Sequence, residues 1–90
     1  MESYRAATSA LKNFLSAYPN SQFKEEVQFA LLESSYLLAK NSVPDKKVER
    51  IEEAMKAYTT FASRFPESKQ IATADQMQED LLSQLETAKN

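Results

Sequence analysis

A short segment of this chain occurs twice, 47 residues apart. Each copy has a Phe, an aromatic residue four positions later, then Pro, a polar residue and Ser; the copies span 14–21 and 61–68. The similarity extends upstream, where apolar residues recur in the same order: Ala7, Ala10 and Leu11 correspond to Ala54, Ala57 and Tyr58. A match over about eighteen positions indicates an internal repeat.

The end of each copy predicts a helix stop followed by a new helix. Proline disfavours the α conformation in the residue before it, so Tyr18 and Phe65 are expected at helix ends. Serine is a favoured helix N-cap, which predicts that Ser21 and Ser68 cap the following helices. The repeating unit is therefore a helix, a short turn and another helix.

Composition limits the function classes open to the chain. Its 90 residues are 42% hydrophobic, enough for the core of one small domain, and the formal net charge is −2. That charge argues against nucleic acid as a main partner, since phosphate binding requires a basic surplus. The chain contains no Cys, His or Gly, which removes the usual zinc ligands, phosphate-binding loops and dinucleotide motifs. No cofactor is predicted.

Apolar periodicity predicts an all-α domain of four antiparallel helices stacked as hairpins. We expect the helices at about 3–18, 22–41, 45–65 and 69–88. The second carries two apolar stripes, one through Phe23, Val27 and Leu38 and one through Phe29 and Tyr36, which predicts a central position. The fourth carries one stripe and a polar face that includes Asp80, predicted to be solvated.

A break at 41–45 separates the second and third helices. Ser42 and Asp45 have the spacing of a capping box, and Pro44 suits a first helical turn.

The spacing of Ala7, Leu11 and Pro19, found again in Ala54, Tyr58 and Pro66, resembles the second half of the tetratricopeptide (TPR) repeat. The first half is matched at the positions usually held by Trp, Leu and Tyr: Phe29, Leu32 and Tyr36. Glu33 departs from the pattern, which has Gly there, and the 47-residue period exceeds the usual ~34. The resemblance implies a segment of an α-solenoid, a class of protein that binds other proteins.

A narrower resemblance covers most of the chain. The segment 49–54, followed by Tyr58, Phe61 and the segment 65–69, looks like the C-terminal part of BamD-like outer-membrane assembly lipoproteins, and so does 11–21 with its ending. That family implies a scaffold for β-barrel insertion, lipid-anchored on the periplasmic face of the outer membrane. The family's signal peptide, lipidated Cys and earlier repeats are not in this sequence, so the resemblance implies that residues 1–90 form one TPR-like domain, the C-terminal piece of a longer chain. The alternative is a peptide-binding TPR adaptor of the periplasm or cytosol.

Two surfaces are candidate partner sites. On the TPR pattern, one face of the second helix forms a groove for an extended or helical peptide, unless the fourth helix or a preceding helix fills it; its residues are Val27, Ala30, Ser34, Leu37 and Leu38. The other surface is a basic cluster, Lys46, Lys47 and Arg50, for a partner or for anionic head groups. The alternative is a solvated first helical turn, where the helix dipole disfavours cations.

The sequence contains no set of residues that indicates catalysis. Adjacent acidic pairs such as Glu25–Glu26 and Glu52–Glu53 project about 100° apart on a helix, which favours a solvated face over acid–base work. Ser34 and Ser35 have no His to activate them. We therefore predict a non-enzymatic protein. The sequence leaves the identity of the partner and self-association open.

Overall fold

The computed structural model describes residues 2–89, with the backbone alone for Glu2; Met1 and Asn90, which the predicted domain includes, lie outside the described residues. Four α-helices follow one another, as the sequence predicts, and no bound differs from its prediction by more than two residues. They are α1 (Glu2–Ala17), α2 (Lys24–Lys40), α3 (Pro44–Arg64) and α4 (Ile71–Lys89).

Each helix packs on the next, and α2 also contacts α4. Phe29, early in α2, contacts Phe61, late in α3, so these helices are antiparallel. In contrast, α2 and α4 run parallel, since Glu25 contacts Ser68 and Tyr36 contacts Asp80. The predicted central position of α2 is confirmed. Within the described chain, the backbone of α1 approaches that of α2 alone.

The core lies between α2, α3 and α4. One cluster of buried residues comprises Leu32, Ala57, Phe61 and Ala74. A second comprises Ala39, Ile51, Ala54 and Leu81. Burying a side chain such as Phe61 or Leu32 contributes about 1.5–3 kcal/mol. In α1, none of the described side chains, 3–17, is fully buried, so α1 is attached to the core without entering it.

The predicted N-cap role of Ser21 is wrong. The N-cap of α2 is Phe23, which makes no side-chain capping bond. Ser21 lies in an additional turn before the helix: its Oγ accepts a 3.0 Å hydrogen bond from the Phe23 N–H, and its carbonyl accepts one of 3.2 Å from the Lys24 N–H. Ser68 does the same before α4, accepting from the Gln70 N–H at 3.1 Å. Each hydroxyl caps the turn, so the helix begins further along the chain than predicted.

The predicted capping box at Ser42 and Asp45 is also wrong. The N-cap of α3 is Val43, without a side-chain capping bond, and Pro44 is the first helical residue. Ser42 instead closes the end of α2, where its Oγ donates a 2.5 Å hydrogen bond to the Leu38 carbonyl. A hydroxyl close to an unpaired helix carbonyl satisfies that acceptor, so the preceding helix end takes it.

Candidate interaction surfaces

The two copies of the repeated segment form the same turn. The aromatic N–H donates to the carbonyl of the preceding Phe in both, at 2.9 Å for Tyr18 to Phe14 and 2.8 Å for Phe65 to Phe61. Each aromatic ring also lies beside that Phe ring at an interplanar angle of 45°, with centroids 5.1 Å apart in the first copy and 5.7 Å in the second. The repeat is therefore present in the backbone hydrogen bonds and in the ring packing.

A second set of bonds in the turns also matches. The serine N–H donates to the aromatic carbonyl, at 3.1 Å for Ser21 and 3.0 Å for Ser68. The serine carbonyl accepts from the residue three positions on, at 3.2 Å for Lys24 and 3.1 Å for Ile71. Side chains at corresponding positions therefore occupy comparable places, and their surroundings can be compared directly.

The surroundings of the two turns differ because α2 covers only the second. Phe61 is fully buried, with the Phe29 ring of α2 at 5.5 Å, and Ser68 Oγ donates a 2.6 Å hydrogen bond to Glu25 Oε2. The counterparts in the first copy, Phe14 and Ser21, are half-buried. The two turns thus have the same local structure, but α2 covers the second turn and leaves the first one exposed.

We call the uncovered surface the open turn. It is a shallow apolar depression in which the rings of Tyr18 and Phe23 are 59% and 51% exposed. Its lining residues are Phe14, Tyr18, Pro19, Asn20, Ser21 and Phe23. This surface is not among those predicted from the sequence. The sequence signal for it is the repeat itself. Two copies of one apolar stripe need a covering helix each, which indicates that one copy can remain uncovered.

The predicted peptide groove on α2 is partly covered. All five of its residues are half-buried and none is exposed: Val27, Ala30, Ser34, Leu37 and Leu38. By helical spacing, Leu32, Phe29 and Tyr36 turn towards α3 and α4, which leaves the predicted face towards α1. Peptide binding at this face stays a prediction.

Two residues of the predicted basic cluster, Lys47 and Arg50, make hydrogen bonds within the domain, and the third, Lys46, is exposed. Lys47 Nζ donates to the Lys40 carbonyl at 2.9 Å, and Arg50 Nη1 donates to Ser42 Oγ at 2.9 Å. Both cations therefore lie at the C-terminus of α2, where the helix dipole favours positive charge. The dipole of α3 disfavours these cations at its own first turn, and the nearby C-terminus of α2 gives them a favourable position.

A polar bridge connects α2 to α4, and it corrects the prediction that Asp80 is solvated. Tyr36 Oη donates a 2.5 Å hydrogen bond to Asp80 Oδ2, which also accepts a 2.8 Å bond from Gln84 Nε2. The Tyr36 bond, assisted by Gln84 and by the charges of Lys40 and Lys47, lowers the pKa of Asp80 against the opposing effect of burial. The same bond, with burial and the Asp80 charge, raises the pKa of Tyr36 to about 12. At neutral pH Asp80 is therefore ionised and Tyr36 keeps its proton, so the hydrogen bond between them joins α2 to α4.

Among the described side chains, 3–89, no group of three acidic, His or Cys residues is placed to hold a metal ion. Among the described helices, none is long and apolar enough to cross a membrane.

The fold defines a class, an all-α domain of four helices in which consecutive helices pack together and the second also meets the fourth. Comparison with known proteins gives no match among protein-family models, curated proteins or solved structures.

Proposed function

We propose that this chain is a non-catalytic scaffold for protein–protein interaction, built as a short segment of a TPR-like α-solenoid. The observation that carries the proposal is the repeated turn, in which residues 14–24 and 61–71 form the same backbone hydrogen bonds. Recurrence of one helix–turn–helix unit at a fixed period is typical of solenoids, whose units stack through equivalent faces. The parallel course of α2 and α4, two helices apart, supports the same interpretation.

The side chains also favour binding over chemistry. The most strongly shifted pKa belongs to Tyr36, raised to about 12, which moves that group away from proton transfer at neutral pH. Glu25, in one acidic pair, accepts a hydrogen bond from Ser68 and so has a structural contact. The exposed large apolar residues, Tyr18 and Phe23 among them, are the kind of surface that marks an interaction site.

The partner we propose is the machinery that inserts β-barrel proteins into the outer membrane. The proposal rests on the resemblance to BamD-like lipoproteins, and it places the full-length protein on the periplasmic face of that membrane. A peptide-binding TPR adaptor of the periplasm or cytosol is the alternative, and the two make different predictions about which extract contains the partner.

Affinity purification tests the proposal. The tagged chain is incubated separately with detergent-solubilised envelopes and with soluble extract of the source organism, and bound proteins are quantified by mass spectrometry. We expect at least about tenfold enrichment of barrel-assembly components from envelopes over the tag alone. Enrichment from soluble extract alone would favour the adaptor, and enrichment from neither would contradict the scaffold proposal.

Variants identify the surface used. Leu37→Ser tests the α2 face and Lys46→Glu tests the basic cluster. Leu82→Ser, on α4, is the matched control, since Leu82 is 47% exposed and belongs to neither surface. Circular dichroism confirms that each variant stays helical. Loss of enrichment in all three variants alike would indicate non-specific capture.

A further inference from the structure

The internal repeat shows how a helix covers a turn of this kind. On the second turn, α2 places Glu25 against Ser68 and Phe29 against Phe61. One helical turn further on, Leu32 lies in the buried cluster with Ala57 and Phe61. Near its end, Tyr36 donates to Asp80 of α4. The covering face of α2 therefore has an acidic residue, then Phe four, Leu seven and Tyr eleven positions later.

The open turn has counterparts for most of the residues that this face contacts. Ser21 corresponds to Ser68, Phe14 to Phe61, Ala10 to Ala57 and Glu33 to Asp80. The Ser21 hydroxyl accepts from the Phe23 N–H, whereas Ser68 makes the equivalent bond and also donates to a carboxylate. Ala10 and Glu33 are exposed, and Phe14 and Ser21 are half-buried. The open turn has the local geometry of the second turn, and no helix within residues 2–89 packs on it as α2 packs on the second turn.

We propose that the open turn binds an amphipathic α-helix of a partner protein that carries Glu, Phe, Leu and Tyr with the spacing found in α2. The helix lies on α1 as α2 lies on α3. Its Glu accepts a hydrogen bond from Ser21, its Phe packs on Phe14 and Tyr18, and its Tyr donates to Glu33. The proposal rests on the scaffold function above and specifies the chemistry of its partner.

Differences between the copies define what the site selects. Lys24 stands where Ile71 stands in the second copy, so the open turn has a cation near Ser21 that favours an acidic partner residue. The Tyr58–Asp75 hydrogen bond of the second copy has no equivalent, because its counterparts are Leu11 and Gln28. That bond joins α3 to α4, so its absence affects the contact between α1 and α2 and leaves the face offered to the partner helix unchanged.

A synthetic peptide of residues 22–41, with blocked ends, serves as the probe because it carries the required pattern. Its binding to the full chain is followed by isothermal titration calorimetry and by NMR shifts of backbone amides. We expect one saturable site per chain, with the largest shifts in residues 14–24. Tyr18→Ser in the protein and Phe29→Ala in the peptide are each expected to weaken binding at least about tenfold, because central aromatic contacts dominate such interfaces. Glu25→Gln in the peptide is expected to weaken it less, since a neutral amide still accepts the Ser21 bond.

The control protein is Leu82→Ser, which has an exposed apolar residue replaced on α4 and is expected to bind as the unmodified chain does. Binding that is insensitive to Tyr18→Ser, with shifts around Phe61, would mean that the peptide displaces α2, and would overturn the proposal. Absence of binding would overturn it as well. A dimer that buries Tyr18 without peptide, detected by analytical ultracentrifugation, would replace the partner helix with a second copy of the chain. None of these results depends on recovery of a barrel-assembly component, so the two proposals fail separately.

Discussion

The hydroxyl of Tyr36 donates a 2.5 Å hydrogen bond to Asp80 Oδ2, which connects α2 to α4 across 44 residues of sequence. The same carboxylate oxygen accepts a hydrogen bond from Gln84 of α4, and the charges of Lys40, at the end of α2, and Lys47, at the start of α3, act on Asp80 as well. The hydrogen bond thus connects α2 and α4 through one ionised carboxylate.

Removing the donor tests the strength of the bridge. Tyr36→Phe is expected to lower the free energy of unfolding by about 2 kcal/mol, because it deletes a hydrogen bond to a charged, partly buried acceptor. Urea denaturation followed by circular dichroism measures it. Tyr58→Phe is the matched control, since the Tyr58 bond to Asp75 is exposed, and we expect about 0.5 kcal/mol there. Equal losses in the two variants would contradict the special role of the bridge.

The bridge also predicts a pH dependence at both extremes. The pKa of Asp80 is lowered in the folded state, so its contribution is present above the ordinary value of 3.8 and is lost as pH falls through the lower folded value. The pKa of Tyr36 is raised from 10.0 to about 12, so its contribution is present below pH 10.0 and is lost as pH rises towards 12. The stability difference between the unmodified chain and Tyr36→Phe should therefore be flat near neutrality and shrink in both windows. A difference that stays constant from pH 7 to 12 would show that the bond does not control the titration of Tyr36.

The repeat offers a comparison between corresponding core residues. Phe61→Leu is expected to cost about 1.5 kcal/mol, because the fully buried ring contacts Phe29 and Phe65 and its loss leaves space in the core. Phe14→Leu, at the corresponding half-buried position, is expected to cost less than about 0.5 kcal/mol. Chemical denaturation of both variants measures the difference. Comparable costs would mean that the open turn is covered in solution, for example by self-association.

The two lysines after the α2–α3 turn should behave differently. Lys47→Met removes the hydrogen bond to the Lys40 carbonyl and a cation near the C-terminus of α2. We expect it to cost about 0.5 kcal/mol, which lowers the Tm by roughly 2–4 °C. Lys46→Met, at the exposed neighbouring position, should leave the Tm unchanged within error. Thermal unfolding at low and high salt checks both values, and an effect of Lys47→Met that persists at high salt would argue for lost packing instead of lost charge.

Most of the helical architecture could be predicted from local pattern. Apolar spacing and the two aromatic–Pro steps place all four helices, and the double stripe of α2 predicts its central position. The caps were predicted less well. Ser21 and Ser42 have residue types and spacings that suit an N-cap, and both hydroxyls instead bond to backbone groups of an adjacent turn or the preceding helix end. Several backbone partners lie within reach of a serine, and the spacing alone does not choose between them.

For the interaction surfaces too, the residues could be predicted from the sequence, but their contacts could not. The sequence predicts that Lys47 and Arg50 belong to one basic cluster, while their hydrogen bonds to the α2–α3 junction depend on the folded chain. The sequence predicts that Asp80 is solvated because its helical position is on the polar side of α4, and the neighbour that covers it, Tyr36, is 44 residues away in the sequence.

By itself, the sequence determined the helices, the turns and the 47-residue repeat, because each depends on residues within a few positions of one another. The tertiary structure alone decided which copy of the turn is covered and which is open. Two segments with the same pattern of aromatic, Pro and Ser residues fold alike locally, and only the packing of α2 on α3 makes Phe61 a core residue and leaves the ring of Phe14 half-buried. Burial is a property of the neighbours that reach a site, and those neighbours are set by the path of the whole chain.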